Sequence, residues 1–206
     1  MNAQNRSGHR PDPPLVVFAG RSNVGKSSTI RALTGKNVRI GKSPGSTRWQ
    51  IEIDMGPVIF VDIPGFGFMK GLSKSEIEAT KTRIVRNLEE WSHRLVLAVL
   101  IVDISLFREL VERWDDRGEI PIDIEYYSFL SELASQVLVV ANKADKLKKK
   151  ETHREVDFLR QKLLEAVPSK DPQIMVTSAS RKQGIDELRE TIELLLKREK
   201  VSSPTW

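Results

Sequence analysis

The 206-residue sequence predicts a three-layer α/β fold built on a mostly parallel sheet. Short apolar runs alternate along the chain with amphipathic stretches, the pattern of strands interleaved with helices. Polar motifs follow directly on three of those runs, where ligand loops sit at the carboxyl ends of parallel strands.

Residues 1–14, MNAQNRSGHRPDPP, are polar and proline-bearing, and read as a flexible N-terminal tail. LVVFAG at 15–20 is a buried strand ending at glycine, followed by a stretch that can be helical over 25–33. Residues 36–48 contain Gly41, Pro44, Gly45 and Ser46, which is loop chemistry. WQIEIDMGPVIFVD at 49–62 reads as a hairpin turning at Met55-Gly56-Pro57. The alternation in QIEID marks an edge strand with one wet face; the continuous VIFVD marks a buried one. Residues 95–102 and 137–141 are two more buried strands, and 174–176 the last. Helices are expected over 74–91, 122–134, 152–166 and 184–198. No internal repeat or second domain stands out, so the chain reads as one domain over 15–198 with a C-terminal tail at 199–206.

Composition narrows the setting. There is no cysteine, which excludes disulfides and Cys-based metal sites. The longest apolar run falls far short of the ~20 residues that span a bilayer, and the N-terminus lacks the apolar core of a secretory signal. A cytoplasmic protein without membrane attachment is expected. The net charge of +5 favours an acidic partner such as RNA, though many proteins that bind no nucleic acid carry as much.

The chemistry lies in three strings. GRSNVGKS at 20–27 fits G-x-x-x-x-G-K-[ST], a pattern met by chance in roughly one chain in a hundred of this length. Its strand–turn–helix setting makes it a phosphate-binding loop. Gly20 and Gly25 permit the dihedrals that wrap backbone N–H groups around phosphate oxygens. The following helix points its positive end at the same anion. Lys26 is expected on the β- and γ-phosphates, and Ser27 on Mg²⁺. Asp62 ends a strand and opens DIPG at 62–65. It is expected to hold Mg²⁺ directly or through its waters, with the Gly65 N–H free to meet a γ-phosphate.

NKAD at 142–145 decides the base. Guanine presents two adjacent donors that one carboxylate, Asp145, can accept; adenine offers no such pair, and the carboxylate would go unsatisfied. Lys143 can lay its stem over the ring, and Asn142 can tie this loop to the phosphate loop. Thr177, Ser178 and Ala179 follow the last strand, where a backbone N–H could donate to guanine O6. Thr47, with Gly45 and Ser46 in PGSTR, is the expected second protein ligand of Mg²⁺ and part of a nucleotide-sensing switch. A second switch is expected at 66–73, whose Phe66, Phe68 and Met69 are either buried or offered to a partner.

With these residues in view, the chain resembles the EngB (YihA/YsxC) family among the TrmE–Era–EngA–EngB–septin-like GTPases. The resemblance rests on GRSNVGKSS at 20–28, PGSTR at 44–48, DIPGFGF at 62–68, NKADKL at 142–147 and TSAS at 177–180, and covers about residues 15–198. It implies a Ras-like G domain with six strands, one of them antiparallel. It also implies binding of GTP and GDP with Mg²⁺ by residues 20–28 (Arg21, Ser22, Asn23, Val24 and Ser28 included), 45–47 and the motifs above, and GTP hydrolysis. Relatives act in assembly of the large ribosomal subunit, and the family is also linked to cell division and septation. A partner in the large subunit or its rRNA is implied; no DNA partner is expected, and the chain is expected to be a monomer. Two departures stand out. NKAD replaces the TKAD of many relatives, and residues 105–124, with DDRGEIPID, differ from the shorter bacterial form, which suggests an archaeal-type member.

Hydrolysis is expected to be slow. Many small GTPases place a glutamine after the D-x-x-G glycine to orient water, whereas Phe66 stands here and cannot polarise it. Two sources of help are open. Asn23 resembles the asparagine with which related GTPases hold K⁺ beside the phosphates, and a partner such as rRNA can order the switches. Lys26, Gly65 and Asn23 are therefore the candidate catalytic residues. The basic run KLKKK at 146–150 and the lysines of 197–200 either touch RNA phosphates or are simply solvated. A GTP-sensing scaffold with negligible hydrolysis and a non-ribosomal partner is the alternative.

Overall fold

The computed structural model describes residues 12–36, 50–65 and 74–206. Among the described residues six strands form one sheet: β1 (Leu15–Ala19), β2 (Ile51–Asp54), β3 (Ile59–Asp62), β4 (Leu95–Asp103), β5 (Gln136–Asn142) and β6 (Gln173–Val176). Their order is β2-β3-β1-β4-β5-β6. Only β2 runs antiparallel, pairing with β3 in a hairpin that places Ile53 opposite Phe60. The α-helices of the described residues flank the sheet: α1 (Lys26–Thr34), α2 (Lys74–Trp91), α3 (Phe107–Asp115), α4 (Ile122–Leu133), α5 (Lys149–Ala166) and α6 (Ile185–Arg198).

Side chains on a strand alternate between faces, so a central strand with apolar residues at every position must be covered twice. Leu15, Val17 and Ala19 of β1 join Leu95, Ala98, Leu100 and Val102 of β4 in one core, closed by α2, α3, α4 and α5. Val16 and Phe18 join Leu97, Val99 and Ile101 in the second, closed by α1 and α6. The expected alternation in β2 is present: Ile53 is buried between exposed Glu52 and Asp54.

The expected helices are all present with ends shifted by three residues at most, and α3, within 105–124, is a helix beyond those expected. Phe107, Leu110, Val111 and Trp114 recur at helical spacing there, and Phe107 and Val111 are buried. The helix docks on α5 through Phe107 against Phe158, with ring centroids 6.0 Å apart, and through Arg108 on Glu155 at 2.9 Å.

Both ends of the described chain are held against the fold. Asp12 pairs with Arg94 at 3.4 Å, and Pro14 accepts a hydrogen bond from the Ile59 N–H at 3.0 Å. At the other end, residues 199–206 fold back over the hairpin: the Thr205 N–H donates to Met55 O at 2.8 Å and Pro204 is buried. The Trp206 ring meets Phe60 edge-on at 5.7 Å. Burying apolar surface on the exposed side of an edge hairpin explains why this segment is held.

Helix α1 is fastened at its far end. Arg189 of α6 donates from Nε to Leu33 O at 2.9 Å and from Nη2 to Ala32 O at 3.0 Å, which satisfies two carbonyls that the last turn leaves unpaired.

Candidate functional site

The carboxyl ends of β1, β3, β4, β5 and β6 converge, and the three sequence motifs meet there. The phosphate loop runs from Gly20, after β1, to Lys26, the first residue of α1. Gly20 and Gly25 take φ of +140° and +97°, the conformations expected of them, and Asn23 joins them at +66° despite its side chain. Val24 is buried beneath the loop, while Asn23, Ser27 and Ser28 are exposed. Ser27 and Ser28 open the first turn of α1, where N–H groups lack helical partners and an anion is favoured.

Lys26 Nζ lies on Asp62 Oδ1, both side chains being almost fully covered, with 11% and 6% exposure. Each is therefore neutralised by the other. Phosphate oxygens compete for this ammonium, and a divalent cation competes for this carboxylate, so the pair supplies both charges such a ligand requires. The described oxygen donors, the Asp62 carboxylate and the Ser27 hydroxyl, are of the kind that suits Mg²⁺, a hard cation that keeps several waters. Three residues on, Gly65 packs on the phosphate loop itself. A Cβ there would stand 2.6 Å from Ser22 N and 2.8 Å from the Arg21 carbonyl carbon, so only glycine fits. Ser22 Oγ donates to Gly65 O at 3.4 Å.

The base-side residues form a bonded cluster. Asn142, buried at the end of β5, donates from Nδ2 to Val24 O at 2.9 Å, which is the expected tie between the two loops. Its Oδ1 accepts from Thr177 Oγ1 at 3.2 Å and from the Ala179 N–H at 3.0 Å. That N–H, one of those considered for guanine O6, is turned to Asn142. Asp145 accepts from Ser178 Oγ at 2.5 Å and Ser180 Oγ at 3.4 Å, with Arg181 at 3.8 Å. The Ser178 bond holds its carboxyl below the usual range, helped by Arg181 and Ser180. It is thus an ionised acceptor across the neutral range.

Lys143 is left-handed, with φ +65°. Its ammonium spans the gap to the phosphate loop, donating to Asn23 O and, at 2.7 Å, to Asp103 Oδ2. Asp103, at the end of β4, is a site residue that sequence reading missed. It is buried and also accepts from Ser105 Oγ at 2.6 Å. A carboxylate closing the apolar run 95–102, level with Asn142 in the register of β4 and β5, was the signal available. Arg21 does not join this cluster: it reaches Asp123 at the start of α4, at 2.8 Å.

Gly45, Ser46 and Thr47, and the expected second switch at 66–73, lie outside the described residues. Among the described residues no three His, Cys, Asp or Glu side chains group to hold a metal, and no helix is long and apolar enough to cross a membrane. A cavity of about 860 Å³ between α2, α4 and α5, lined by Val85, Ile120, Ile124 and Phe129, includes none of the expected site residues.

A six-stranded sheet of this order, carrying G-x-x-x-x-G-K-S, D-x-x-G and N-K-x-D at one end, defines a P-loop GTPase of the Ras-like fold. The family model described as a 50S ribosome-binding GTPase matches residues 15–143. The probable GTP-binding protein EngB of Pyrococcus abyssi is 45% identical over 177 residues, 86% of this chain and 83% of that protein. The crystal structure of a probable EngB GTP-binding protein superposes with a TM-score of 0.80 at 42% identity, covering 89% of this chain and 99% of that one. Era, in complex with MgGDPNP and a segment of 16S ribosomal RNA, gives a TM-score of 0.60 at 27% identity, covering 87% of this chain and 55% of Era. The chain belongs to the EngB family of GTPases.

Proposed function

We propose that this chain is a guanine-nucleotide switch of low intrinsic turnover that acts in assembly of the large ribosomal subunit. The observation that carries the reading is the meeting of an ionised, pre-bonded Asp145 with the Lys26–Asp62 pair at one end of the sheet. Asp145 accepts the two guanine donors, with Asn142 and Lys143 holding base loop and phosphate loop together. The backbone of residues 20–25, with Ser27 and Ser28, receives the phosphates. Lys26 would leave Asp62 for the β- and γ-phosphate oxygens, and Asp62, Ser27 and Thr47 are the residues that would hold Mg²⁺. Bound Mg²⁺ would supply charge neutralisation at the transferring phosphoryl group. Gly45 and Ser46 flank that ligand, and the Gly65 N–H meets the γ-phosphate. Thr177, Ser178 and Ala179 complete the base pocket.

Slow turnover follows from Phe66, which offers no group to orient water. Asn23, exposed and in the left-handed region, is placed to share in holding K⁺ beside the phosphates, where a cation would stabilise charge in the transition state. For the partner, the family description names the 50S ribosome, and Era sits on ribosomal RNA. Lys146, Lys148, Lys149 and Lys150 are exposed beside the base loop. Two of them occupy the first turn of α5, where the helix dipole disfavours cations and an anionic partner would relieve the cost. On this reading the protein works in the cytoplasm as a monomer, with a role that extends to cell division and septation.

The test is GTP turnover in K⁺ and in Na⁺, each with and without purified large subunits. Stimulation by subunits supports the assembly role, and loss of turnover in Na⁺ supports the cation. Tight GTP binding with no stimulation in any arm would leave the second reading, a GTP sensor with a non-ribosomal partner, which Phe66 favours.

A further inference from the structure

Arg21 is the second residue of the phosphate loop, yet its side chain is committed elsewhere. Its Nε donates to Asp123 Oδ2 at 2.8 Å, across 102 positions of sequence. The four N–H donors of its terminal nitrogens make no hydrogen bond among the described residues. Asp123 lies in the first turn of α4 with its side chain 3% exposed, and its Oδ1 is buried without a hydrogen-bond partner. An ionised carboxylate served at one oxygen only is an expensive thing to bury. Burial raises its pKa to about 6 in spite of Arg21, and the charge of Asp103 at the end of β4 pushes the same way. A contact kept for fold stability would be better made of apolar side chains.

The backbone of Arg21 supplies a reason to keep the charge. Gly65 is seated on the Arg21 carbonyl carbon and the Ser22 N, at 2.8 and 2.6 Å from the place a Cβ would take. Ser22 reaches back to Gly65 O. Whatever fixes the Arg21 side chain therefore fixes the surface on which the D-x-x-G glycine rests. Resting on the reading of this site as a GTP site, we propose that Asp123 is a positioning residue: through Arg21 it sets the phosphate loop against Gly65, and thereby the rate at which nucleotide is released. The segment 105–124, which ends at α4, so acquires a hold on the phosphate loop.

Release of a fluorescent GDP analogue from the full chain tests this, with the wild type, Asp123→Asn, Arg21→Ala and the double variant compared between about pH 7.5 and 5.5. At the upper pH each single variant is expected to release nucleotide about tenfold faster, and the double variant no faster than the faster single. Protonation of Asp123 removes the charge that holds Arg21. Wild-type release should therefore accelerate below about pH 6, while Asp123→Asn stays flat over the same range. Single variants at the wild-type rate, additive effects, or the same acid acceleration in Asp123→Asn would overturn the proposal. Should the variants not fold, a flat wild-type profile would overturn it by itself. A wild type that binds no GDP would sink the site reading as a whole, whereas normal binding with unshifted variants sinks only the pair.

Discussion

The base half and the phosphate half of the site are held in opposite ways. Around Asn142 and Asp145 most of the hold comes from neutral hydroxyl, amide and backbone groups, with the Arg181 charge 3.8 Å from Asp145 and the Lys143–Asp103 pair beside them. Around Lys26 and Asp62 the holding force is one pair of charges, and both belong to partners that a magnesium–nucleotide complex would take away. The base half is thus preorganised and has little to gain by moving. The phosphate half exchanges internal charge pairs for external ones, so its geometry must depend on what is bound. On the proposed reading, selectivity would lie in the preorganised half and switching in the exchangeable half.

The sharpest break of this contrast is Asp145→Asn. It removes two charge-assisted acceptors and should cost about a thousandfold in GDP affinity by fluorescence titration, without gain for ADP. Retained GDP affinity would mean the base is read elsewhere. Gly65→Ala should do the reverse. Its methyl group collides with the phosphate-loop backbone, so turnover should fall about a hundredfold while GDP affinity changes only a few-fold. Asn142→Ala cuts the bond between the halves and strands buried partners on three sides. A loss of about 2–4 kcal/mol in urea unfolding is expected, with weakened nucleotide binding alongside. Asp103→Asn leaves the Lys143 bridge in place but weaker, and should speed GDP release about fivefold in stopped flow.

The smallest expected effect is none at all. Because the Asp145 carboxyl lies below its usual range, its ionised form persists as pH falls, and its contribution is lost only below that range. Preference for guanine over adenine nucleotides should therefore be level from about pH 8 to 5. A decline within that window would show that another titrating group reads the base.

Much of this contrast was legible in the sequence because its carriers are local strings. Apolar runs of fixed length gave the strands, and Lys26, Asp62, Asn142 and Asp145 are fixed relative to strand ends by spacing alone. What escaped was through-space. Asp103 matters because β4 lies beside β5, and Asp123 because a helix start comes to rest near Gly20 to Ser22; neither pairing leaves a periodic trace. Helix α3 was different, since the helical spacing of Phe107, Val111 and Trp114 was visible in the sequence but no helix was read from it. The docking of residues 199–206 depends on Phe60 and Met55, about 150 positions away, and nothing in those last eight residues announces it.

Arg189 makes α1 an anvil rather than a spring. Its guanidinium grips the carbonyls of Ala32 and Leu33 at the end of the helix farthest from the phosphate loop, and its own helix is anchored in the core by Leu188 and Ile192. A helix clamped there cannot recoil along its axis when a highly charged ligand arrives at its other end. In mechanical terms α1 is a stiff member of the fold, and the clamp is what makes it one.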